Sequence, residues 1–151
     1  MEKIAVFPGS FDPFTIGHQS LVNRALPLFD SIIIAVGYNS QKPGYFPVKK
    51  RIEWISKLFA GNPKVSVEMY EGLTVDFCKK NNSGFILRGL RTSSDFEFER
   101  AIAQINRSVN SDIETVFFIA LPEHSHITST LVREIHCYGG NIEKFIPQGM
   151  M

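Results

Sequence analysis

The hydrophobic residues of this chain fall into five short runs, each about as long as a β-strand. The runs cover residues 4–7, 32–36, 65–69, 85–87 and 115–120. They are mostly β-branched or aromatic, and three of them are apolar throughout, which is typical of parallel strands covered on both faces. Run 65–69 alternates more between apolar and polar residues, so we expect it to lie nearer to an edge of the sheet.

Between these runs, apolar residues recur at the spacing of an α-helix. Five helices are predicted, at about 21–29, 48–61, 75–80, 98–109 and from 128 or 129 to 139. Pro27 lies inside the first pattern, and it predicts a kink or an early end there because proline disrupts a helix interior.

Two sequence signals mark the ends of the later helices. Ser94 and Glu97 have the spacing of a capping box and predict the start of the fourth helix. Gly139-Gly140 predicts the end of the fifth helix, since glycine commonly terminates helices.

The alternation of strands and helices predicts the α/β class, as a single doubly wound domain with a five-stranded parallel sheet. We expect residues 1–151 to form this one domain, because no repeat, linker or low-complexity segment interrupts the pattern. Ligands of such sheets bind beyond the carboxyl ends of the strands. The loops that follow the five runs are therefore where functional residues are expected.

Charge and cysteine content narrow the classes of function. Lys and Arg number 16 and Asp and Glu 15, so the formal net charge is +1. This balance argues against a nucleic-acid partner or an anionic membrane surface, although it leaves room for a local basic pocket. Cys78 and Cys137 are too few for a disulfide framework. No apolar run is long enough to span a membrane, so we expect a soluble cytoplasmic protein with reduced thiols.

The loop after the first run reads PGSFDPFTIGH. Gly9 and Gly17 allow a ligand to approach the backbone closely, and N–H groups at the start of the following helix can hold a phosphate. Ser10, Thr15 and His18 add hydroxyl and imidazole groups. These residues alone leave two interpretations open: a nucleotide-phosphate site, or an ordinary strand-to-helix turn with a capping threonine.

The loop after the fourth run carries Arg88 and Arg91, directly before a helix. Two guanidinium groups at a helix N-terminus favour an anion, because their donors match the geometry of phosphate. Glu99 is expected near the same opening. The alternative is a pair of solvated arginines that bridge to Asp95, Glu97 or Glu99.

The loop after the fifth run carries hydroxyl groups on Thr128, Ser129 and Thr130. Such groups can cap a helix and also contact phosphate, so simple N-capping is the alternative interpretation. His124 and His126 are two residues apart, and zinc ligation is conceivable there, but no further ligand lies at a suitable spacing.

These three loops resemble the class I nucleotidyltransferase superfamily. Residues 15–18, TIGH, resemble its (H/T)xGH signature, and residues 127–133 resemble its ISSxxxR signature with Thr128 in place of the first serine. PGSFDPFTIGH, and RGLR followed by DFEFE, are similar to the bacterial phosphopantetheine adenylyltransferase family. The chain departs from that family at Phe98, where Tyr is common, and at His124, near a position that is often another aromatic residue.

The resemblance implies a Rossmann-like nucleotidyltransferase fold and transfer of AMP from ATP to 4′-phosphopantetheine. The products would be dephospho-CoA and pyrophosphate, in coenzyme A biosynthesis. The resemblance also implies Mg²⁺ carried on the ATP phosphates with no metal ligands from the chain, a homohexamer, and feedback inhibition by coenzyme A. Another nucleotidyltransferase, such as a nicotinate-mononucleotide adenylyltransferase, and a non-catalytic nucleotide-binding regulator remain alternatives.

The same resemblance assigns expected roles to individual residues. His18, Lys42 and Arg91 are the expected catalytic residues. The residues expected to bind ATP are Ser10, Phe11, Gly17, His18, Gly89, Leu90, Arg91, Glu99, His124, Ser125, His126, Ile127, Thr128, Ser129 and Thr130. The residues expected to bind the second substrate are Ser10, Lys42, Leu73, Thr74 and Arg88.

Overall fold

The computed structural model describes residues 1–151 and contains one parallel sheet with helices on both faces. The strands are β1 (Ile4–Gly9), β2 (Ser31–Gly37), β3 (Val65–Tyr70), β4 (Phe85–Leu90) and β5 (Glu114–Ile119). The helices are α1 (Ile16–Ala25), α2 (Val48–Leu58), α3 (Thr74–Lys80), α4 (Ser93–Val109) and α5 (Ser129–Cys137). Two 3₁₀ helices cover Leu26–Leu28 and Pro122–His124. The predicted α/β class and five-stranded parallel sheet are confirmed.

The strand order is β3-β2-β1-β4-β5, and every neighbouring pair is parallel. The order therefore reverses between β1 and β4, and a ligand crevice is expected beyond the carboxyl ends of these two strands. β3 is an edge strand, as its alternating pattern predicted. β5 is the other edge.

β1 and β4 separate towards their carboxyl ends. Their pairing covers only Ala5↔Phe85 and Val6↔Ile86, whereas β1 pairs with β2 along its whole length. Pro8 has no N–H with which to continue the ladder. The separation opens the crevice at the predicted switch point.

Both faces of the sheet are covered by hydrophobic side chains. Alternate residues of β1 point to opposite faces, so Ala5 and Phe7 join the larger core cluster while Val6 joins the smaller one. The larger cluster packs against α1, α2 and α5, and the smaller includes Val75 and Cys78 from α3. The fully apolar runs were therefore correctly interpreted as strands buried on both faces.

The capping-box prediction for the fourth helix is wrong. Thr92 is the N-cap of α4, and its side chain accepts a hydrogen bond from the N–H of Asp95 at 3.1 Å. Ser94 already lies inside the helix, and Glu97 accepts an ion-pair hydrogen bond from Arg100 at 3.1 Å. The extended backbone that an N-cap requires occurs at Thr92, two residues earlier than predicted.

Other helix ends agree more closely with the sequence. α1 ends at Ala25, and Pro27 lies in the 3₁₀ helix that follows, as its position predicted. α2 ends at Leu58, three residues before Gly61. No helix combines the length and the apolar character needed to cross a membrane.

Candidate functional site

The loops after the strands form two adjoining cavities at the carboxyl edge of the sheet. One, of about 300 Å³, is lined by His18 and is called the His18 cavity. The other, of about 480 Å³, is lined by Lys42 and is called the Lys42 cavity. Both cavities share the wall that consists of Pro8, Gly9, Ser10, Arg88 and Glu99. A ligand that passed this wall would occupy both spaces.

Most of the predicted site residues line these cavities. The predicted residues in the His18 cavity are Ser10, Phe11, Gly17, His18, Arg88, Gly89, Arg91, Glu99, His124, Ile127, Thr128, Ser129 and Thr130. Those in the Lys42 cavity are Ser10, Lys42, Thr74, Arg88 and Glu99. The catalytic residues expected from the sequence are thus divided, since Lys42 lies in one cavity and His18 and Arg91 in the other.

Four predicted residues lie outside both cavities. Leu73 is an exposed residue at the N-cap of α3, while Leu90 is buried at the end of β4. The hydroxyl of Ser125 donates to the carbonyl of Pro122 at 3.0 Å, and His126 is exposed beside it. Their proposed contacts with a ligand stay predictions.

His18 is oriented by a reciprocal cap at the start of α1. Nδ1 of its ring accepts a hydrogen bond from the backbone N–H of Thr15 at 2.9 Å. The hydroxyl oxygen of Thr15 accepts one from the backbone N–H of His18 at 3.3 Å. Because Nδ1 is an acceptor, the proton of the neutral ring is on Nε2. Both interpretations of this loop therefore hold in part, since Thr15 caps the helix and thereby aims a histidine donor.

The surroundings of His18 keep its ring uncharged. The ring packs edge-on against Phe11, with centroids 5.0 Å apart, and lies 5.3 Å from that of Phe14. Burial, with the positive charges of Arg88 and Arg91, lowers the pKa of His18 to about 3. At neutral pH the side chain is therefore a hydrogen-bond donor without a net charge.

Phe11 adopts an unusual backbone conformation beneath this ring. Its φ is +47°, in the left-handed region that non-glycine residues seldom occupy. The buried Phe11 ring lies so close to Gly9 that a Cβ on Gly9 would be 2.9 Å from Cζ. A side chain at position 9 would therefore displace the ring on which His18 packs.

Arg88 spans the gap between β1 and β4. Its Nε and Nη2 donate to the two carboxylate oxygens of Glu99, at 2.9 and 2.7 Å, and its Nη1 donates to the carbonyl of Pro8 at 2.7 Å. The Glu99 side chain is buried, and the Arg88 side chain is one-third exposed. A guanidinium carries five N–H donors, so two remain for a ligand. The alternative that Arg88 bridges to a carboxylate is thus correct, but the pair lies in the wall between the cavities.

Arg91 joins the loop after β4 to the loop before α5. Its Nε donates to Asp95 at 3.2 Å, and its Nη1 donates to the carbonyl of Ile127 at 3.4 Å. The side chain is about one-third exposed, at 36 %. Arg91 therefore pairs with a carboxylate, as the alternative interpretation held, while it lines the His18 cavity.

The first turn of α5 is fixed to the loop after β1. Thr128 caps the helix by accepting a hydrogen bond from the N–H of Leu131 at 3.0 Å. The hydroxyl of Ser129 donates to the carbonyl of Pro13 at 2.8 Å. Arg133 donates to the carbonyl of Asp12 at 2.7 Å and to the hydroxyl of Thr130 at 3.2 Å. This helix N-terminus, which favours anions, is thereby held at the mouth of the His18 cavity.

His124 contains a buried polar atom that lacks a partner. Its Nδ1 makes no hydrogen bond, and the residue lines the His18 cavity. No three His, Cys, Asp or Glu side chains form a cluster that could hold a metal ion. The zinc interpretation of His124 and His126 therefore has no further ligand in this structure.

Sequence reasoning missed Arg24 in α1 and two residues of α4 that line the Lys42 cavity. Arg24 lines the His18 cavity, and its Nη1 donates to the carbonyl of Ile119 at 2.9 Å. It follows Gly17 by seven residues, which places both on one face of a helix. Similarly, Ala103 and Asn106 line the Lys42 cavity at four and seven residues after Glu99. Helical periodicity taken from the motif residues would have found both groups.

Comparisons with known proteins agree on the class of fold and on a family. The family described as cytidylyltransferase-like matches residues 6–135. A protein from Cytophaga hutchinsonii is 48% identical over 147 residues, which cover 97% of this chain and 98% of that protein. One from Christiangramia forsetii is 50% identical over 145 residues, covering 96% and 95%. Both relatives are named phosphopantetheine adenylyltransferase.

Solved structures with the same fold are more distant in sequence. The nicotinic acid mononucleotide adenylyltransferase of Plasmodium falciparum has a TM-score of 0.68 and 16% identity, covering 99% of this chain and 93% of that chain. A putative nicotinate-nucleotide adenylyltransferase from Vibrio parahaemolyticus has a TM-score of 0.68 and 21% identity, covering 99% and 96%. At these identities the likeness concerns the fold alone.

The lowered pKa of His18 predicts a specific loss of stability in acid. The unfolded chain protonates this residue below a pH of about 6.5, whereas the folded chain resists protonation down to a pH of about 3. The contribution of His18 to the free energy of unfolding is therefore lost as the pH falls from about 6.5 to about 3. Between pH 6.5 and pH 5, we expect the free energy of unfolding to fall by about 1.5 kcal/mol more in the unmodified protein than in His18→Asn.

Denaturant unfolding of both proteins at the two pH values measures this difference. Asn at position 18 keeps a short acceptor for the N–H of Thr15 and removes the titration. Equal losses in the two proteins would mean that His18 protonates normally in the folded chain.

Proposed function

This chain belongs to the cytidylyltransferase-like family, and we propose that its site transfers AMP from ATP to 4′-phosphopantetheine. The products are dephospho-CoA and pyrophosphate, as one step of coenzyme A biosynthesis. The observation that carries the proposal is the wall at Ser10 and Arg88, where the two cavities meet. The reaction joins two large substrates through their phosphates, so it needs two spaces that adjoin at one point.

ATP is proposed to bind in the His18 cavity. The N–H groups in the first turn of α5 and the guanidinium of Arg91 supply donors for its phosphates. His124 contributes an imidazole that can stack on adenine or form a hydrogen bond with it. The other expected ATP contacts are retained as proposals: Ser10, Phe11, Gly17, Gly89, Leu90, Glu99, Ser125, His126, Ile127, Thr128, Ser129 and Thr130.

4′-Phosphopantetheine is proposed to bind in the Lys42 cavity. Its phosphate would meet Lys42 and the two free N–H groups of Arg88, with Ser10 beside them. The pantetheine arm would extend past Thr74, whose hydroxyl lies 2.9 Å from that of Tyr70, and near Leu73. Glu99 supports this arrangement because it holds Arg88 by two hydrogen bonds.

The proposed chemistry requires charge stabilisation more than proton transfer. The second pKa of a phosphate monoester is about 6, so the acceptor is already a nucleophile at neutral pH and needs no general base. Its oxygen forms a bond to the α-phosphorus of ATP, and the bond to the bridging oxygen breaks as pyrophosphate leaves with the electron pair. Nε2–H of His18 donates to the α-phosphate, with Lys42 and Arg91 supplying positive charge.

His18 suits this role because it is uncharged before the substrates bind. A neutral donor held by Thr15 does not have to give up an ion pair with the protein when the transition state forms. Its orientation is fixed in advance, which is the condition under which electrostatic stabilisation is most effective.

Mg²⁺ is proposed to arrive on the ATP phosphates. The lining of the His18 cavity fits a triphosphate with its metal, since it carries the guanidinium groups of Arg24, Arg88 and Arg91. Mg²⁺ usually keeps several waters and binds nucleotides through their phosphate oxygens. When bound, it would neutralise part of the triphosphate charge.

A homohexamer is proposed on the family resemblance and on an apolar stripe of α4. The stripe consists of Phe98, Ile102, Ile105 and Val109, which recur at helical spacing and are exposed by 38–68%. Contiguous exposed apolar residues mark interaction surfaces. Coenzyme A contains the adenylyl and pantetheine parts of both substrates, so feedback inhibition through the same cavities is part of the proposal.

A cytoplasmic location is proposed as well. Cys78 and Cys137 are unpaired, which suits a reducing compartment. ATP as a substrate fits the same location.

Two other functions were left open by the sequence, and neither has a specific observation in its favour. The nicotinate-mononucleotide adenylyltransferases share the fold at 16–21% identity, whereas the phosphopantetheine relatives reach 48–50%. A regulator that binds nucleotide without catalysis would bind ATP and release no pyrophosphate.

An acceptor panel tests the proposed function. We expect pyrophosphate release from ATP with 4′-phosphopantetheine and not with nicotinate mononucleotide, and we expect EDTA to abolish it. CTP in place of ATP should give little product. Turnover with nicotinate mononucleotide, or ATP binding without turnover of any acceptor, would favour one of the alternatives.

Replacing His18 tests its proposed role in the transition state. His18→Ala should lower kcat at least about 100-fold while the KM for ATP changes little, because the lost interaction forms only in the transition state. Steady-state kinetics measure both constants. A near-normal kcat would remove His18 from the chemistry.

A charge in the α4 stripe tests the assembly. Ile105→Asp should reduce the mass measured by sedimentation, because it places a carboxylate in an apolar interface. Gln104→Asp, which lies on the same helix but outside the stripe, is the matched control and should leave the mass unchanged. An unchanged mass for Ile105→Asp would exclude the stripe as the interface.

A further inference from the structure

We propose that Arg51 and Asp12 are positioning residues that fix the loop carrying Lys42 against the loop carrying Ser10. This inference rests on the proposed function, because that function gives Lys42 its role. Arg51 lies outside the motifs that suggested the function, and Asp12 lies inside PGSFDPFTIGH but was assigned no role there. Both are nevertheless buried charged side chains at the edge of the site, with exposures of 3% for Arg51 and 5% for Asp12.

Asp12 holds the second half of the β2–α2 loop. Its Oδ2 accepts a hydrogen bond from the N–H of Tyr45 at 2.7 Å, and its Oδ1 accepts one from the N–H of Phe46 at 2.9 Å. Asp12 belongs to the loop after β1, two residues from Ser10. One carboxylate therefore joins the two loops through both of its oxygens.

Arg51, in the first turn of α2, joins the same loops from the other side. It donates to three backbone carbonyls: that of Phe46 from Nε at 3.0 Å, Ser10 from Nη1 at 2.6 Å and Pro43 from Nη2 at 3.1 Å. Its Nε also lies 3.9 Å from Oδ1 of Asp12. The planar guanidinium is the only protein cation with three nitrogens that can reach three separate acceptors in this way.

These contacts surround Lys42 on the chain. Pro43, whose carbonyl Arg51 holds, is the next residue, and the N–H of Lys42 donates to the carbonyl of Asn39 at 2.9 Å. The Lys42 side chain itself is exposed and makes no ion pair with the protein. The place from which that flexible side chain starts is thus set by Arg51 and Asp12.

Gly44 shows how tightly the two loops are held together. Its φ is +90°, and a Cβ there would lie 2.9 Å from Oδ2 of Asp12 and 3.2 Å from Nη2 of Arg51. A side chain at this position would therefore push the β2–α2 loop away from the buried pair. Gly139 also has a positive φ, +80°, but a Cβ there would meet nothing within 4 Å.

The test substitutes Arg51→Lys and combines it with Lys42→Ala. Lysine keeps the charge opposite Asp12 but cannot donate to the three carbonyls from separate nitrogens. Because a displacement of about 1 Å can lower a rate by about 100-fold, we expect kcat to fall at least about 10-fold in Arg51→Lys. Arg107→Lys, at an exposed ion pair with Glu114, is the matched control and should retain kcat.

The double variant separates positioning from a merely structural role. If Arg51 acts through Lys42, Arg51→Lys should change kcat by less than about twofold in a Lys42→Ala background. If Arg51 only stabilises the fold, the two losses should multiply. Multiplied losses, or an unchanged kcat in Arg51→Lys, would overturn the proposal.

A second variant covers the case in which Arg51→Lys fails to fold. Gly44→Ala should give the same loss of kcat, and the same lack of further loss with Lys42→Ala, because its Cβ pushes the loop away from Asp12 and Arg51 while both side chains are kept. Gly139→Ala matches it in backbone conformation without a contact and should retain kcat. Equal kcat in Gly44→Ala and Gly139→Ala would contradict the proposal.

Failure of the proposed function gives a different result. In that case the unmodified protein would not release pyrophosphate with 4′-phosphopantetheine, or Lys42→Ala alone would have normal kcat. Hydrogen exchange provides a readout that does not depend on activity: the amides of Tyr45 and Phe46 should exchange faster in Arg51→Lys than in Arg107→Lys.

Discussion

The site depends on the early end of the pairing between β1 and β4. The two strands are paired at Val6↔Ile86 and no further, so the ladder between them ends before their carboxyl ends. Arg88 replaces the missing ladder by donating to the carbonyl of Pro8, while Glu99 holds the other side of its guanidinium. The ion pair of the partly exposed Arg88 with the buried Glu99 therefore links β4 to β1 and also forms part of the wall between the two cavities. Arg88 lines both cavities, and two of its five N–H donors remain for the phosphates that are proposed to meet there.

The positive groups around this wall have a consequence for His18. Burial first, and the charges of Arg88 and Arg91 in addition, lower its pKa to about 3 and keep it neutral. Thr15 fixes which nitrogen carries the proton. The strand-end loops thus supply charge through arginine and lysine, and a directed hydrogen bond through histidine. The proposed transfer of AMP needs no general base. It can therefore use the positive charges and the hydrogen bond from His18 without any proton leaving the protein.

The fold could be predicted well from the sequence. Strands buried on both faces are short and apolar, and in the helices between them apolar residues recur at helical spacing. The sequence predicted most of the cavity residues because they follow the strands directly. It placed the cap of α4 wrongly, since Thr92, Ser94 and Asp95 are all capable of capping and only the backbone conformation distinguishes them.

Other features could not be found from one sequence. The pairing of Arg88 with Glu99 depends on the angle at which α4 packs on β4, and the assignment of His18 and Lys42 to different cavities depends on the strand order. Asp12 and Arg51 are 39 residues apart in the chain, and nothing in their local patterns indicates that they meet. Long-range contacts of this kind become visible only when the loops are in place.

The central claim is that the two cavities hold the two halves of one product and that its phosphates cross the wall at Arg88. A crystal structure of the protein with dephospho-CoA tests it most directly. The claim predicts adenosine in the His18 cavity, pantetheine in the Lys42 cavity and the pyrophosphate linkage beside Ser10 and Arg88. Dephospho-CoA bound with both halves in one cavity, or with the halves exchanged, would contradict it.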